Sequence, residues 1–300
     1  MQKSHLRGAA QATVGMLLVG SLVAVNASIK DYPMYTAQAI RYTLASVVLC
    51  ALLAARRPPR VRLTRRDVLL LAALATSGLA VFNVAIVYAT HYSSAALVGT
   101  VVGSGPIVMA VLGPLVARGG RPSPRVIASA VVVTAGTAVA TGLGGGGTLG
   151  ALLAAVALAG EVSFSLLAMP LLPRLGALRV SAYTAVASVP ILLALGLAVD
   201  GTTILRAPSW TELSAIAYLG LIVTVGGFLL WYDALPRLGP DRAGLFAGIM
   251  PVGAVATMML LGQGTPTPAE LGGAALVVGG IALGLTRSTA TRTGAVLART

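Results

Sequence analysis

Two ionisable side chains stand inside apolar stretches where a charge has no ordinary place: Arg41, in Gln38-Ala-Ile-Arg-Tyr42, and Glu161, in Ala159-Gly-Glu-Val162. A charge at bilayer mid-depth costs roughly 2.5–3.5 kcal/mol on insertion scales, so such residues mark substrate paths, proton relays or buried pairs. Counted from Pro33, Arg41 falls about 12 Å below one membrane surface at 1.5 Å per helical residue. Counted from Thr148, Glu161 falls about 20 Å below the same surface. A long arginine spans that difference. Three chemistries fit: a structural ion pair, recognition of a substrate carrying both signs, or a coupling proton on Glu161. Gln38, Asn83, Tyr88 and Asn26 bring hydrogen-bonding groups to neighbouring runs, which suits a small polar substrate and equally suits bonds between helices. Phe164, with Tyr42, Phe82, Tyr183, Phe246, Met250 and Met258, offers either a pocket wall or ordinary packing.

Catalytic patterns are missing. The sequence has no HExxH, GxSxG or CxxC, and the glycines Gly144 to Gly147 lack the Lys-Ser/Thr of a phosphate loop. No catalytic residue, metal site or cofactor is therefore expected, and the chain reads as a non-enzyme. Two histidines, His5 and His91, make no metal cluster. The single cysteine, Cys50, lies in an apolar run and forms no internal disulfide.

The elements that must position these residues follow from composition. With 57% apolar and 10% charged residues in 300, and a mean hydropathy of +0.91, the chain is an integral membrane protein. A soluble domain carries about 25% charged residues. Apolar windows of roughly 20 residues fall at 8–28, 34–55, 68–90, 94–117, 124–142, 149–172, 179–199, 211–235, 241–262 and 267–286. Lys3 and Arg7 ahead of the first window, with Val25-Asn-Ala27 after it, imitate a cleavable leader. The window is read instead as a first span, because removing it leaves an odd number and spoils the symmetry that follows.

Gly99-xxx-Gly103-xx-Pro106 recurs 145 residues later as Gly244-xxx-Gly248-xx-Pro251. Pro122-Ser-Pro124 returns as Pro266-Thr-Pro268, and Gly136 as Gly280, at an offset of 144. The chain is thus two five-helix repeats, 1–145 and 146–300, in one all-α membrane domain. Small residues four apart let helices approach closely. A proline inside a span frees a carbonyl, Val102 for Pro106 and Ala247 for Pro251, and broken helices in matching positions of two halves point to a transporter's substrate site. These six residues are the expected hinge.

The net charge of +13 suggests nucleic acid only in a soluble chain. Here 18 of the 21 Lys and Arg, among them Arg56 to Arg66, Arg118, Arg287, Arg292 and Arg299, fall on the side holding both termini. Lys30 and Arg206 face the other side. That bias places both termini in the cytoplasm. Five spans per half then make the repeats inverted, with a site between them near the midplane.

Ten spans as five plus five, Ala39-Ile-Arg-Tyr42, Tyr88-Ala-x-x-x-x-Ser-Ala-Ala96 and a proline within the fourth and ninth spans resemble the EamA branch of the drug/metabolite transporter superfamily. Among its members the compact form with a basic loop at Arg56 to Arg66 is similar to bacterial amino-acid exporters of the YddG type. The resemblance implies a cavity formed by helices 1 to 4 and 6 to 9, with helices 5 and 10 as scaffold. It also implies export of amino acids, aromatic and other, across the inner membrane by alternating access; other small metabolites or drugs, carried by an exporter or a facilitator, are the alternative. Many members carry a glutamate after the fourth and ninth spans, where this chain has Arg118 and Gln263, so that glutamate's role does not transfer. The expected partners are a small-molecule substrate and membrane lipid, with no nucleic acid, and a monomer suffices.

Overall fold

The computed structural model describes residues 2–117 and 121–286; Arg118, Arg287, Arg292 and Arg299 lie outside the described residues. Among the described residues ten helices are long and apolar enough to cross a membrane: α1 Lys3–Ala27, α2 Met34–Arg56, α3 Arg65–Tyr92, α4 Ala95–Val116, α5 Pro124–Thr141, α6 Thr148–Leu166, α7 Leu172–Val199, α8 Trp210–Leu238, α9 Pro240–Leu260 and α10 Pro268–Leu285. No strand occurs among the described residues beyond a single Ser93–Gly146 bridge. Only local signals are needed to start and stop them. Prolines open α5, α9 and α10, where a missing N–H is harmless. Capping boxes open α3 (Thr64 with Asp67) and α8 (Ser209 with Glu212), again 145 residues apart.

The halves are inverted, and two helix pairs record it. α5 and α10 pack so closely that a Cβ on Gly136 would lie 2.8 Å from the Gly273 carbonyl oxygen, while one on Gly280 would lie 3.1 Å from that of Ser129. As one residue number falls the other rises, so the two helices run antiparallel, and Ser129 and Gly136 correspond to Gly273 and Gly280 at an offset of 144. The contact is its own image under a two-fold axis. α4 and α9 cross in the same sense: Gly113 abuts Pro240 and Asp241, and Gly244 abuts Met109. Without a hydrophobic drive between helices in lipid, such close backbone approach is what holds them.

Two four-helix bundles flank the α5/α10 pair. α1, α2, α8 and α9 form one, and α6, α7, α3 and α4, their 145-residue counterparts, form the other. Gly15 of α1 faces Gly227 of α8, and Gly160 of α6 faces Phe82 of α3 at the equivalent positions. An arginine fastens each bundle at one end. Arg206 donates to Glu212 at 2.7 Å and to the Asp31 carbonyl at 2.8 Å, and the Tyr32 hydroxyl donates to the Arg206 carbonyl at 3.0 Å. At the opposite end Arg174 pairs with Asp67 and donates to the Arg62 carbonyl at 3.2 Å. Glu212 and Asp67 are the paired capping-box acids, so the clasp is repeated with the fold.

Candidate functional site

The midsections of α3 and α8 are not ordinary α-helix. Leu74–Val81 and Leu219–Gly226 are π-helical, wound one residue wider per turn, and they match at the 145-residue offset. Such segments recur at functional sites because they expose backbone acceptors and shift side chains. Each presses on the middle of a neighbouring helix through a glycine. Gly78 meets the backbone of Phe164 on α6, where a Cβ would sit 3.1 Å from its Cα, and Gly220 meets the Arg41 carbonyl on α2 at 2.9 Å on the same measure.

Arg41 is 5% exposed. Its Nε donates to Thr224 Oγ1 at 2.7 Å, and Thr224 in turn donates to the Leu219 carbonyl at 2.8 Å across the π-turn. A second nitrogen donates to Gln38 Oε1 at 3.2 Å, and the guanidinium lies 5.2 Å from the Tyr42 ring centroid. Every one of these partners is neutral. The ion pairs among the described residues join Arg7 and Arg237 to Asp233, Arg174 to Asp67 and Arg206 to Glu212. The expected reach of Arg41 to Glu161 is therefore not made: the arginine is turned to α8, the glutamate to α4.

Glu161 faces the point where α4 breaks. A Cβ on Gly105 would lie 3.8 Å from both carboxylate oxygens, and Glu161 Oε2 is buried with no hydrogen-bond partner. One turn further along α6, Phe164 stacks on Tyr232 at 4.9 Å and meets Phe228 at 4.8 Å; Phe228 in turn lies 6.4 Å from Tyr42. An aromatic floor thus runs from α6 through α8 to α2, between the two charged residues.

The other sequence candidates fall into place unevenly. Gln38 is 3% exposed and joined to Arg41. Asn83, 9% exposed, donates to the Leu79 carbonyl of its own helix at 2.6 Å. Tyr88 is 40% exposed and makes no hydrogen bond among the described residues. Phe246 is core at 2% exposed. Trp231 is 4% exposed and donates to Ser165 Oγ at 3.1 Å, because it points between the bundles.

The hinge residues sit where both helices are interrupted, but the break precedes the prolines. α4 stops at Val102 and restarts at Gly105; α9 tightens to 3-10 geometry over Phe246–Ile249 before Met250. Pro106 and Pro251 are the second residues of the restarted helices rather than kinks within continuous ones. The glycines serve packing: Gly99 lies against Thr141, Gly103 against Thr137, Gly244 against Met109 and Gly248 against Val133. A cavity of about 180 Å³ borders Pro251 between α5, α9 and α10, and one of about 260 Å³ lies between α2 and α7; neither is lined by Arg41 or Glu161.

The apolar core shows how the two bundles meet. At the membrane face where α1 begins and α10 ends, the terminal face, a single cluster crosses both bundles, from Met16 and Trp231 to Leu71, Val162 and Leu166. Toward the opposite face smaller clusters take over, and the bundles stay joined there: Ala39 and Tyr42 of α2 pack with Leu79 and Ala80 of α3 and Leu192 of α7, and Asp200 accepts from the Thr36 amide and hydroxyl at 2.8 and 2.7 Å. Val25, Ile29, Ile216 and Leu219 pack within one bundle, and Ala85, Ala89, Val98 and Ala157 within the other. Glu161 lies between Ala157 of one cluster and Val162 of another. The seal at the terminal face includes the Trp231–Ser165 bond and a Tyr232 hydroxyl donated to the Phe164 carbonyl at 3.3 Å. Their counterparts on the other side are Ile86 with Gly20, and Val87 with Val19, which have no such bonds.

An inverted repeat of two helix bundles packed around buried polar residues at mid-depth is the architecture of a membrane transporter. Residues 6–142 and 146–286 each match the EamA-like transporter family, and the chain belongs to it. It is similar to the "Uncharacterized transporter YetK" of Bacillus subtilis (strain 168), at 26% identity over 290 residues, covering 93% of this chain and 87% of that one. A solved crystal structure shares the fold with a TM-score of 0.79 at 21% identity, over 95% of this chain and 97% of its own.

Proposed function

We propose that the protein is a secondary transporter of the bacterial inner membrane that exports amino acids, aromatic and other, by alternating access, with both termini in the cytoplasm. The terminal face is then cytoplasmic. Arg41 carries the reading. Its guanidinium is permanently charged, lies at mid-depth and has only neutral partners, so an incoming carboxylate supplies the missing counter-charge in a bidentate geometry. Tyr42, Phe164 and Phe228 form an apolar floor next to it, which suits an aromatic or aliphatic side chain. A nucleotide-sized polyanion would call for more than one cation.

The test is counterflow. Liposomes containing the purified protein and loaded with one unlabelled amino acid at a time should accelerate uptake of the labelled one, with saturation. Acceleration by tryptophan, phenylalanine or leucine but not by the matching amines, which lack the carboxylate, is the expected result. Equal acceleration by the amines would remove Arg41 from recognition, and non-saturating flux would make the protein a channel. For orientation, a cysteine placed in the 57–64 segment should be labelled by an impermeant reagent only from the cytoplasmic side.

A further inference from the structure

Six arginines stand within eleven consecutive residues, Arg56, Arg57, Arg60, Arg62, Arg65 and Arg66, where α2 hands over to α3 on the terminal face. All six are exposed, and among the described residues none of their side chains donates a hydrogen bond or joins an ion pair. Asp67, the acid next to them in the chain, is taken up by its capping box with Thr64 and by Arg174. Arg65 and Arg66 moreover occupy the first turn of α3, where the helix dipole favours an anion and disfavours a cation. The fold does not ask for this charge. The equivalent connection 145 residues later, Gly201 to Thr211, joins α7 to α8 with Arg206 as its one basic residue, and that arginine is engaged by Glu212 and the Asp31 carbonyl.

The segment is nonetheless held in one shape. Arg179, in the first turns of α7, donates to the Pro59 carbonyl, and Arg174 donates to that of Arg62 at 3.2 Å. Val61 packs against the large core cluster, which leaves its neighbours Arg60 and Arg62 on the outer side. Arg57 closes α2 in a left-handed backbone conformation, φ 42°, with its N–H donated to the Leu53 carbonyl at 3.2 Å; a residue with a Cβ adopts that conformation at a cost. Like charges fixed near one another without counter-ions repel. A local cost of this kind, absent from the sister connection, is the mark of a functional surface rather than of the fold.

We propose that residues 56–66 dock the headgroup of an anionic phospholipid. Charge complementarity selects the chemistry, since a guanidinium fork matches two phosphate oxygens. Depth selects the source. α2 ends at Arg56 and α3 starts at Arg65, so the guanidiniums stand where hydrocarbon gives way to headgroups, while Val68 and Leu69, one turn into α3, are exposed for the acyl chains. Arg56 and Arg57 belong to the bundle of α2 and Arg65 and Arg66 to that of α3, with Arg60 and Arg62 between them, so lipid held here touches both bundles. The charge bias that orients a membrane chain needs only a surplus of basic residues on one side, not a fixed backbone to carry them. The proposal is independent of the substrate transported.

The test is native mass spectrometry of the full chain in detergent, with dioleoylphosphatidylglycerol as the probe and dioleoylphosphatidylcholine as the comparison. Wild type should retain phosphatidylglycerol the more tightly. Arg57→Gln, Arg60→Gln, Arg65→Gln and Arg66→Gln together should weaken that binding by about 25-fold or more, at about fivefold for each arginine that meets the headgroup, and leave phosphatidylcholine unchanged. Lysine at the same four positions should restore it. Most of the eighteen basic residues of that face remain in the fourfold variant, so the insertion bias is kept. Lys3→Gln, Arg121→Gln and Arg242→Gln together, which remove charge from the same face outside the segment, should leave the affinity unchanged. Equal weakening by that second set overturns the proposal, because diffuse surface charge would then be the cause. Equal retention of phosphatidylcholine by wild type overturns it too, as does displacement of the lipid by millimolar inorganic phosphate, which would make the ligand a soluble anion. If the fourfold variant does not fold, Arg60→Gln and Arg66→Gln made separately should each weaken binding about fivefold, and an unchanged affinity in both overturns the proposal instead.

Discussion

Replacing Ser165 by Ala tests whether the seal at the terminal face is held by a hydrogen bond between bundles. Trp231 is 4% exposed and Ser165 5%, and the indole N–H donates to the hydroxyl at 3.1 Å. In Ser165→Ala the indole N–H is left buried without an acceptor, which costs about 1–3 kcal/mol. That cost falls only on the state closed at this face, because in the opposite state the gap fills with water that can accept the bond. The balance between states therefore moves by about 5- to 150-fold toward the one open at the terminal face. Ala12, 0% exposed in the sealed core, reports on it. In a Cys50→Ser background, Ala12→Cys should react with an impermeant maleimide at a rate set by the population open to that face. Adding Ser165→Ala should raise the initial rate about fivefold or more. An unchanged rate refutes the reasoning. A lower melting temperature with no change in labelling would mean that the bond holds the fold rather than the gate.

Other perturbations follow from the same geometry. Arg41→Lys keeps a charge but loses the fork that reaches Thr224 and a carboxylate together, so the KM for amino-acid counterflow should rise about tenfold or more; an unchanged KM excludes Arg41 from the site. Pro106→Ala and Pro251→Ala should lower turnover more than they lower yield of folded protein, Pro251→Ala the more so because a cavity beside it gives α9 room to straighten; normal turnover in both removes the hinge role. Gly136→Leu drives a side chain into the Gly273 backbone, where a Cβ alone would lie 2.8 Å from the carbonyl oxygen. Overpacking of that kind costs about 1–3 kcal/mol or more, and a melting curve that matches wild type would show that α5 and α10 need no such contact.

Much of this architecture is written in periodic hydropathy and in glycine placement. The ten windows, the 145-residue register and the inversion were legible because lipid demands about 20 apolar residues per span and because duplicated helices keep their small residues where backbones touch. The pairing of Arg41 was not legible. Depth along a helix is set by residue count, but azimuth depends on which neighbour packs where, and Gly220 turns α2 toward α8 rather than toward α6. The π-helical segments left no trace in local composition, and none in length, since α3, α7 and α8 have 28, 28 and 29 residues and α7 has no such segment. Trp231 lies near a span end, where an aromatic ordinarily anchors at the interface, and only the approach of α6 to α8 shows that this end is enclosed by protein.

Val186 stands where the second half would repeat Arg41, and Met16 where the first half would repeat Glu161. The frame is therefore interchangeable between its two poses, whereas the chemistry of the pocket is not. On the role proposed for Arg41, a molecule carried through it has no reason to turn over: its anionic end stays on α2 while the walls rearrange around it. Entry and exit then present different ends of the same cargo to the gate, and selectivity tested from one side of the membrane should differ from selectivity tested from the other.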